Sequence, residues 1–197
     1  MSQILSAGMD LLSDDLMRAG ELCEAAVSDL VSAYTEGAKV RKALLEKMQR
    51  IQRLQDEADE VAAEIIIRLQ PQASDLRFVK SCQKLTLEFS RLVKYAYDIS
   101  DFVTRHHPTD DDGENIKRVA ERTRKLIEMG IRSIQKKDLM LGEELRRMKV
   151  PRHSAQREVE SVGSTSSALL LSYLDGVSAH ATSLGNSARY ITTGEGS

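Results

Sequence analysis

Residues 44–69 read LLEKMQRIQRLQDEADEVAAEIIIRL. Leu44, Met48, Ile51, Gln55, Ala58, Ala62, Ile65 and Leu69 follow one another in alternating steps of four and three. That spacing draws a single stripe along one side of a helix. Working outward, Leu5, Met9, Leu12, Leu16, Ala19, Cys23, Ala26 and Leu30 repeat the pattern upstream, until Gly37 offers a stop. Downstream, Gln70-Pro71 ends the second helix, because proline disfavours helix in the residue before it. Ser74 or Asp75 is the expected N-cap of a third helix. Its stripe is Val79, Cys82, Leu85, Phe89, Leu92, Ala96, Ile99 and Val103.

The polar run Arg105 to Gly113, which contains His106, His107 and Pro108, reads as a boundary. Beyond it the plan recurs less cleanly. Ile116, Val119, Thr123, Leu126, Gly130 and Ile134 give a fourth helix; Leu139, Leu141, Leu145 and Met148 give a weak fifth, stopped at Val150-Pro151; and Leu170, Leu174, Val177, Ala181, Leu184, Ala188 and Ile191 give a sixth, capped within Ser164-Thr165-Ser166. The long helices approach 30 residues, or about 45 Å at 1.5 Å per residue. One stripe per helix and short loops mean antiparallel neighbours at small crossing angles. The expected fold is all-α: two tandem three-helix bundles related by an internal pseudo-two-fold repeat, at 1–104 and 114–193, with a linker at 105–113 and a tail at 194–197.

Composition agrees. Only 4% of the 197 residues are aromatic and none is Trp, while the apolar fraction of 41% is ample for a core. Cys23 and Cys82 both fall on apolar stripes, where a thiol acts as a small hydrophobe. The N-terminal MSQILSAGMDLLSDD lacks the basic start and apolar run of a signal peptide, and no stretch approaches a membrane span, so a cytoplasmic location is expected. Between Lys117 and Arg157 thirteen Lys or Arg face five acids; this +8 window leaves −10 for the rest of a chain whose net charge is −2. Such a segment would suit an acidic partner, nucleic acid or anionic lipid, or would simply be a solvated helix face.

Two stretches carry a family pattern. Gln70-Pro-Gln-Ala-Ser-Asp-Leu-Arg77 resembles the turn between the second and third helices of PhoU proteins, regulators of phosphate signalling, and the tail from Tyr173 to Glu195, with its His-Ala-Thr step and terminal Thr-Gly-Glu, resembles their last helix. The resemblance implies the tandem bundles and a regulatory role acting on a phosphate transporter or its sensor kinase. In this turn Pro71, Ala73, Ser74, Asp75, Leu76 and Arg77 are expected to be structural. The family's iron or zinc clusters sit on Glu-x-x-x-Asp pairs, since carboxylates four residues apart share a helix face. Carried onto this chain, those pairs fall on Gln55 and Asp59, on Ser90 and Lys94, and on Asp175 and Ala179 followed by His180. Residual family ligands are thus Asp59, Asp175 and His180, so no cluster and no other cofactor is expected. Asp59 and Lys94, if they face each other, would form an ion pair where the metal belonged.

Other constellations are weaker. His106-His107 with Asp110, Asp111 and Asp112 reads as a solvated loop rather than a metal site. Asp56, Glu57, Asp59, Glu60 and Glu64 read as an exposed helix face. No phosphate loop, nucleophile elbow or metal-protease signature occurs, and His153 and His180 stand alone. The sequence is read as a non-enzymatic, homodimeric regulator working through protein contacts, at most peripheral to a membrane. The alternatives are a helical protein binding nucleic acid or a membrane surface through 117–157, and a divergent metal-dependent bundle hydrolase. Against nucleic acid, the basic window has no stacking aromatics.

Overall fold

The stripes become helices almost residue for residue. The computed structural model describes residues 3–105, 110–148 and 164–194. All regular structure among them is helical: α1 (Gln3–Glu36), α2 (Arg41–Leu69), α3 (Ala73–Arg105), α4 (Asp110–Gln135), α5 (Leu139–Arg147) and α6 (Thr165–Thr193). Every position of the α1, α3 and α6 stripes is buried. In α2 the stripe is narrower, with Leu44, Ile51, Ala58, Ala62 and Ile65 buried, and the acidic run from Asp56 to Glu64 lies exposed on the other side.

The breaks follow from backbone chemistry. Gly37 at φ 68° closes α1, and Gln70 at φ 44° closes α2 immediately before Pro71. Ser164 caps α6 by accepting a hydrogen bond from the Ser167 amide, and Asp138 caps α5 through the amide of Leu141. The expected cap of α3 is corrected: Ser74 and Asp75 lie inside its first turn, where the Leu76 amide bonds to the Gln72 carbonyl. Asp75 there faces the positive end of the helix dipole instead of capping it. The linker boundaries also shift, because α3 runs through Arg105 and α4 begins at Asp110, so residues 110–113 are helical.

Helices α1, α2 and α3 pack on one another, as do α4, α5 and α6, giving two three-helix groups. The groups meet along two seams, α3 against α6 and α1 against α4, and their buried side chains form one continuous core. Close approach at the seams depends on small residues. Ile131 of α4 sits over Gly20 of α1 with Phe89 of α3 behind it, while Gly142 of α5 and Gly185 of α6 bring two backbones into contact. The nine-residue α5 buries only Gly142 and Leu145 and leaves Met140 80% exposed, as its weak stripe implies. Both cysteines are free and buried, and burial pushes each thiol up to about 12.

Candidate functional site

The two distinctive stretches of sequence, far apart along the chain, meet at one end of the α3–α6 seam. Helix α3 starts at Ala73, within the 70–77 stretch, and α6 runs antiparallel to it, so the beginning of one lies against the end of the other. The Arg77 guanidinium donates through Nε to the Ile191 carbonyl at 3.5 Å and lies over Gly194, whose φ of 79° ends α6. A fixed cation at the carbonyl end of a helix is favourable on both hydrogen-bonding and dipole grounds.

Three turns farther along, the seam carries its own polar contact. Glu88 of α3 meets His180 of α6, with Oε2 3.3 Å from Nδ1. The Ser183 hydroxyl donates to the same oxygen at 3.4 Å, and Lys84 stands 3.8 Å from Oε1. Burial by itself would raise the Glu88 pKa. The His180 hydrogen bond and charge, then Lys84 and Ser183, overcome it and hold the carboxyl below its usual range. His180 is therefore not isolated, as the sequence implied, but joins the two bundles. Farther still, the buried Tyr173 hydroxyl donates to the Leu92 carbonyl at 3.4 Å, and its ring centroid lies 5.6 Å from that of Tyr95.

The expected Asp59–Lys94 pair does not form. In an antiparallel hairpin, residues equally far from the turn face each other. That register sets Asp59 of α2 opposite Gln83, which donates to its carboxylate at 2.9 Å. Lys94 lies three turns farther along α3, about 16 Å at 1.5 Å per residue, and is exposed without an ion pair. Of the other positions onto which the family's pairs fall, Ser90 is buried and Gln55 half-buried, and the residual ligand His180 is engaged by Glu88. Asp175 is half-buried and has an interaction partner of its own. Among the described residues no three of His, Cys, Asp and Glu converge in a group able to hold a metal. The donors on these helices thus do not fit a cluster of the Glu-x-x-x-Asp type.

A second polar focus, absent from the sequence reading, joins α1, α4 and α6. The buried carboxylate of Asp112 accepts from Ser167 Oγ at 2.6 Å; Ser167 also meets the Tyr34 hydroxyl and the Ser164 hydroxyl, the latter at 2.6 Å. Every buried hydroxyl here has a partner, which suits a structural clasp. In the sequence Asp112 reads as part of a solvated loop, and no periodic signal marks it otherwise; His106, His107 and His153 lie outside the described residues. Two further carboxylates, Asp15 and Glu24 of α1, are raised by burial, the second also by Glu128 across the α1–α4 seam. On the basic face of α4, Arg124 and Arg132 form ion pairs with Glu121 and Glu128, whereas Arg118 donates to the neutral Asn115 amide oxygen and Arg122 to the Met148 carbonyl. No helix among the described residues is long and apolar enough to cross a membrane.

Residues 16–103, essentially the first helix group, match the model of the PhoU domain. The phosphate-specific transport system accessory protein PhoU homolog of Pseudomonas putida is 30% identical over 93 residues, a match taking in 47% of this chain and 36% of that relative's length. Two solved structures share the fold over nearly the whole chain. PhoU from Pseudomonas aeruginosa superposes with a TM-score of 0.85 at 18% identity, covering 96% of this chain and 99% of that one. The phosphate transport system regulatory protein PhoU from Streptococcus pneumoniae gives 0.82 at 13% identity, covering 97% and 98%.

Proposed function

We propose that this chain, a member of the PhoU family through its residues 16–103, is a non-enzymatic regulator in phosphate homeostasis that restrains uptake by contacting a phosphate transporter or its sensor kinase. The observation that carries the proposal is the meeting of the two family-like stretches at Arg77 and Ile191. The residues that make the sequence distinctive serve the joint between the bundles. The accessory role named for the Pseudomonas putida relative supports the same function. A protein whose distinctive residues build a rigid helical frame, with no converging nucleophile and base in its described part, acts by the surface it presents. We place it in the cytoplasm as a homodimer without a metal cluster.

Phosphate uptake tests this. A strain lacking the protein should take up labelled phosphate faster in phosphate-rich medium, and the cloned chain should restore the slower rate. Uptake that is indifferent to the chain in both rich and poor medium would overturn the proposal. Metal analysis of the purified protein addresses the cofactor separately: stoichiometric iron or zinc would contradict the expected absence.

A further inference from the structure

Between Arg77 and the Glu88–His180 contact, the α3–α6 seam opens into a cleft of about 290 Å³. Lys80 and Lys84, one turn apart on α3, form one wall; Asn186, Ser187 and Tyr190 of α6 form the other, with Ser81 between. Residues four apart on a helix project to the same side, so both ammonium groups border the same opening. Lys80 has no ion pair, and Lys84 makes only the long contact with Glu88.

The neutral groups supply further donors to the same opening. Ser81 and Ser187 are 5% and 8% exposed, and among the described residues their hydroxyls, the Asn186 amide and the Tyr190 hydroxyl have no hydrogen-bond partner. Elsewhere along α6 the hydroxyls of Thr182, Ser183 and Thr192 bond to carbonyls of their own helix. Among the described residues no buried side-chain oxygen or nitrogen lacks a partner, so these groups reach solvent through the cleft and are free to meet a ligand there. Here several unpaired donors and two cations line one opening.

We infer that this cleft binds a small tetrahedral oxyanion of the phosphate type, free or as the terminal group of a small phosphomonoester. Ammonium groups neutralise the charge, and hydroxyl and amide donors take the remaining oxygens. The volume sits at the bottom of the roughly 300–1,000 Å³ range of ligand pockets and admits a phosphoryl group with its waters. A cation is disfavoured by the two lysines. Because the cleft lies between the bundles, bound anion bridges α3 and α6. The cleft's own chemistry carries this assignment, independently of any role in regulating uptake.

Amide NMR on the full chain, titrated at low ionic strength with inorganic phosphate and in parallel with methyl phosphate, tests it. Saturable shifts are expected at residues 80–84 and 186–190, and the arm that binds more tightly identifies the natural source. The Lys80→Met/Lys84→Met double variant should bind roughly tenfold or more weakly, the loss expected for a charge-assisted contact. Tyr190→Phe, which removes one oxygen, should weaken binding less, and Lys39→Met, outside the cleft, should leave it unchanged. Shifts that fail to saturate, that chloride reproduces, or that survive in the double variant with its helix content intact would overturn the site.

Discussion

Arg77 shows how much one side chain can do when it reaches across a fold. It follows the α2–α3 turn but spends its guanidinium on the last turn of α6, so its loss should be felt between bundles rather than locally. Arg77→Met should lower stability by about 1 kcal/mol, the scale of a hydrogen bond plus a helix-end charge. Urea unfolding measures it; an unchanged midpoint would mean that the contact is energetically idle. Asp15 makes the opposite case. Its carboxyl is raised mainly by burial, with the Arg18 charge opposing and Glu57 and Asp14 adding to it. A group whose folded pKa lies above its unfolded value favours the fold when protonated and loses that contribution as pH rises through the folded pKa. Asp15→Asn should therefore stabilise the protein at neutral pH, and the gain should fade below the ordinary carboxylate range. Glu88 has the reverse sign: its lowered pKa contributes stability above the unfolded value that is lost as pH falls through the folded one. Glu88→Gln should then cost stability at neutral pH and little in strong acid, where the two proteins should unfold alike.

At the scale of helices, the apolar positions were legible because 3.6-residue periodicity and burial coincide: Leu12, Leu16, Leu85 and Leu174 are all where the stripes put them. What could not be read was register and width. A family spacing sets Lys94 against Asp59, whereas the α2–α3 hairpin is indexed by its own turn and pairs Asp59 with Gln83. The small polar residues of α6, among them Ser166, Ser178 and Ser187, look like a solvated face in sequence, yet α6 is covered on several sides and buries them. Gly185 is the sharpest instance. A Cβ there would lie 2.6 Å from the Gly142 carbonyl oxygen, a backbone atom that cannot rotate aside. Gly185→Ala should cost about 1–3 kcal/mol by overpacking. Gly176→Ala on the same helix meets nothing within 4 Å and should gain up to about 1 kcal/mol of helix propensity. Thermal unfolding of the two variants should shift in opposite directions; two equal shifts would deny the difference in packing. The short α5, with few buried side chains, should exchange its amides faster than α3. Exchange as slow as that of α3 would show that α5 is held by more than its packing on α4 and α6. The sequence leads one to expect fast exchange from Lys149 to Val162 as well, and those residues lie outside the described ones.

For the whole molecule, the repeat of three helices was visible in the spacing of stripes and breaks, but the way the halves share a core was not, because seam contacts have no sequence period. Helix α1 touches α2, α3 and α4, and helix α3 touches α1, α2 and α6. Ile131 of the second group fills the notch over Gly20, backed by Phe89, both of the first. Each half therefore completes the other's interior, unlike domains joined by a linker, whose interfaces are more polar and whose motions are separate. One cooperative transition is expected. Far-UV circular dichroism, which follows all helices, and tyrosine absorbance, which follows the buried Tyr34 and Tyr173, should give the same urea midpoint. Ile131→Ala should lower that midpoint by an amount equivalent to about 2–4 kcal/mol, the usual cost of such a truncation in a well-packed site. Both probes should move together, because the cavity opens between the halves rather than inside one of them. Two separable transitions, with Ile131→Ala displacing only one, would show that residues 1–104 and 114–193 fold as independent domains and that the seam is a contact rather than a core.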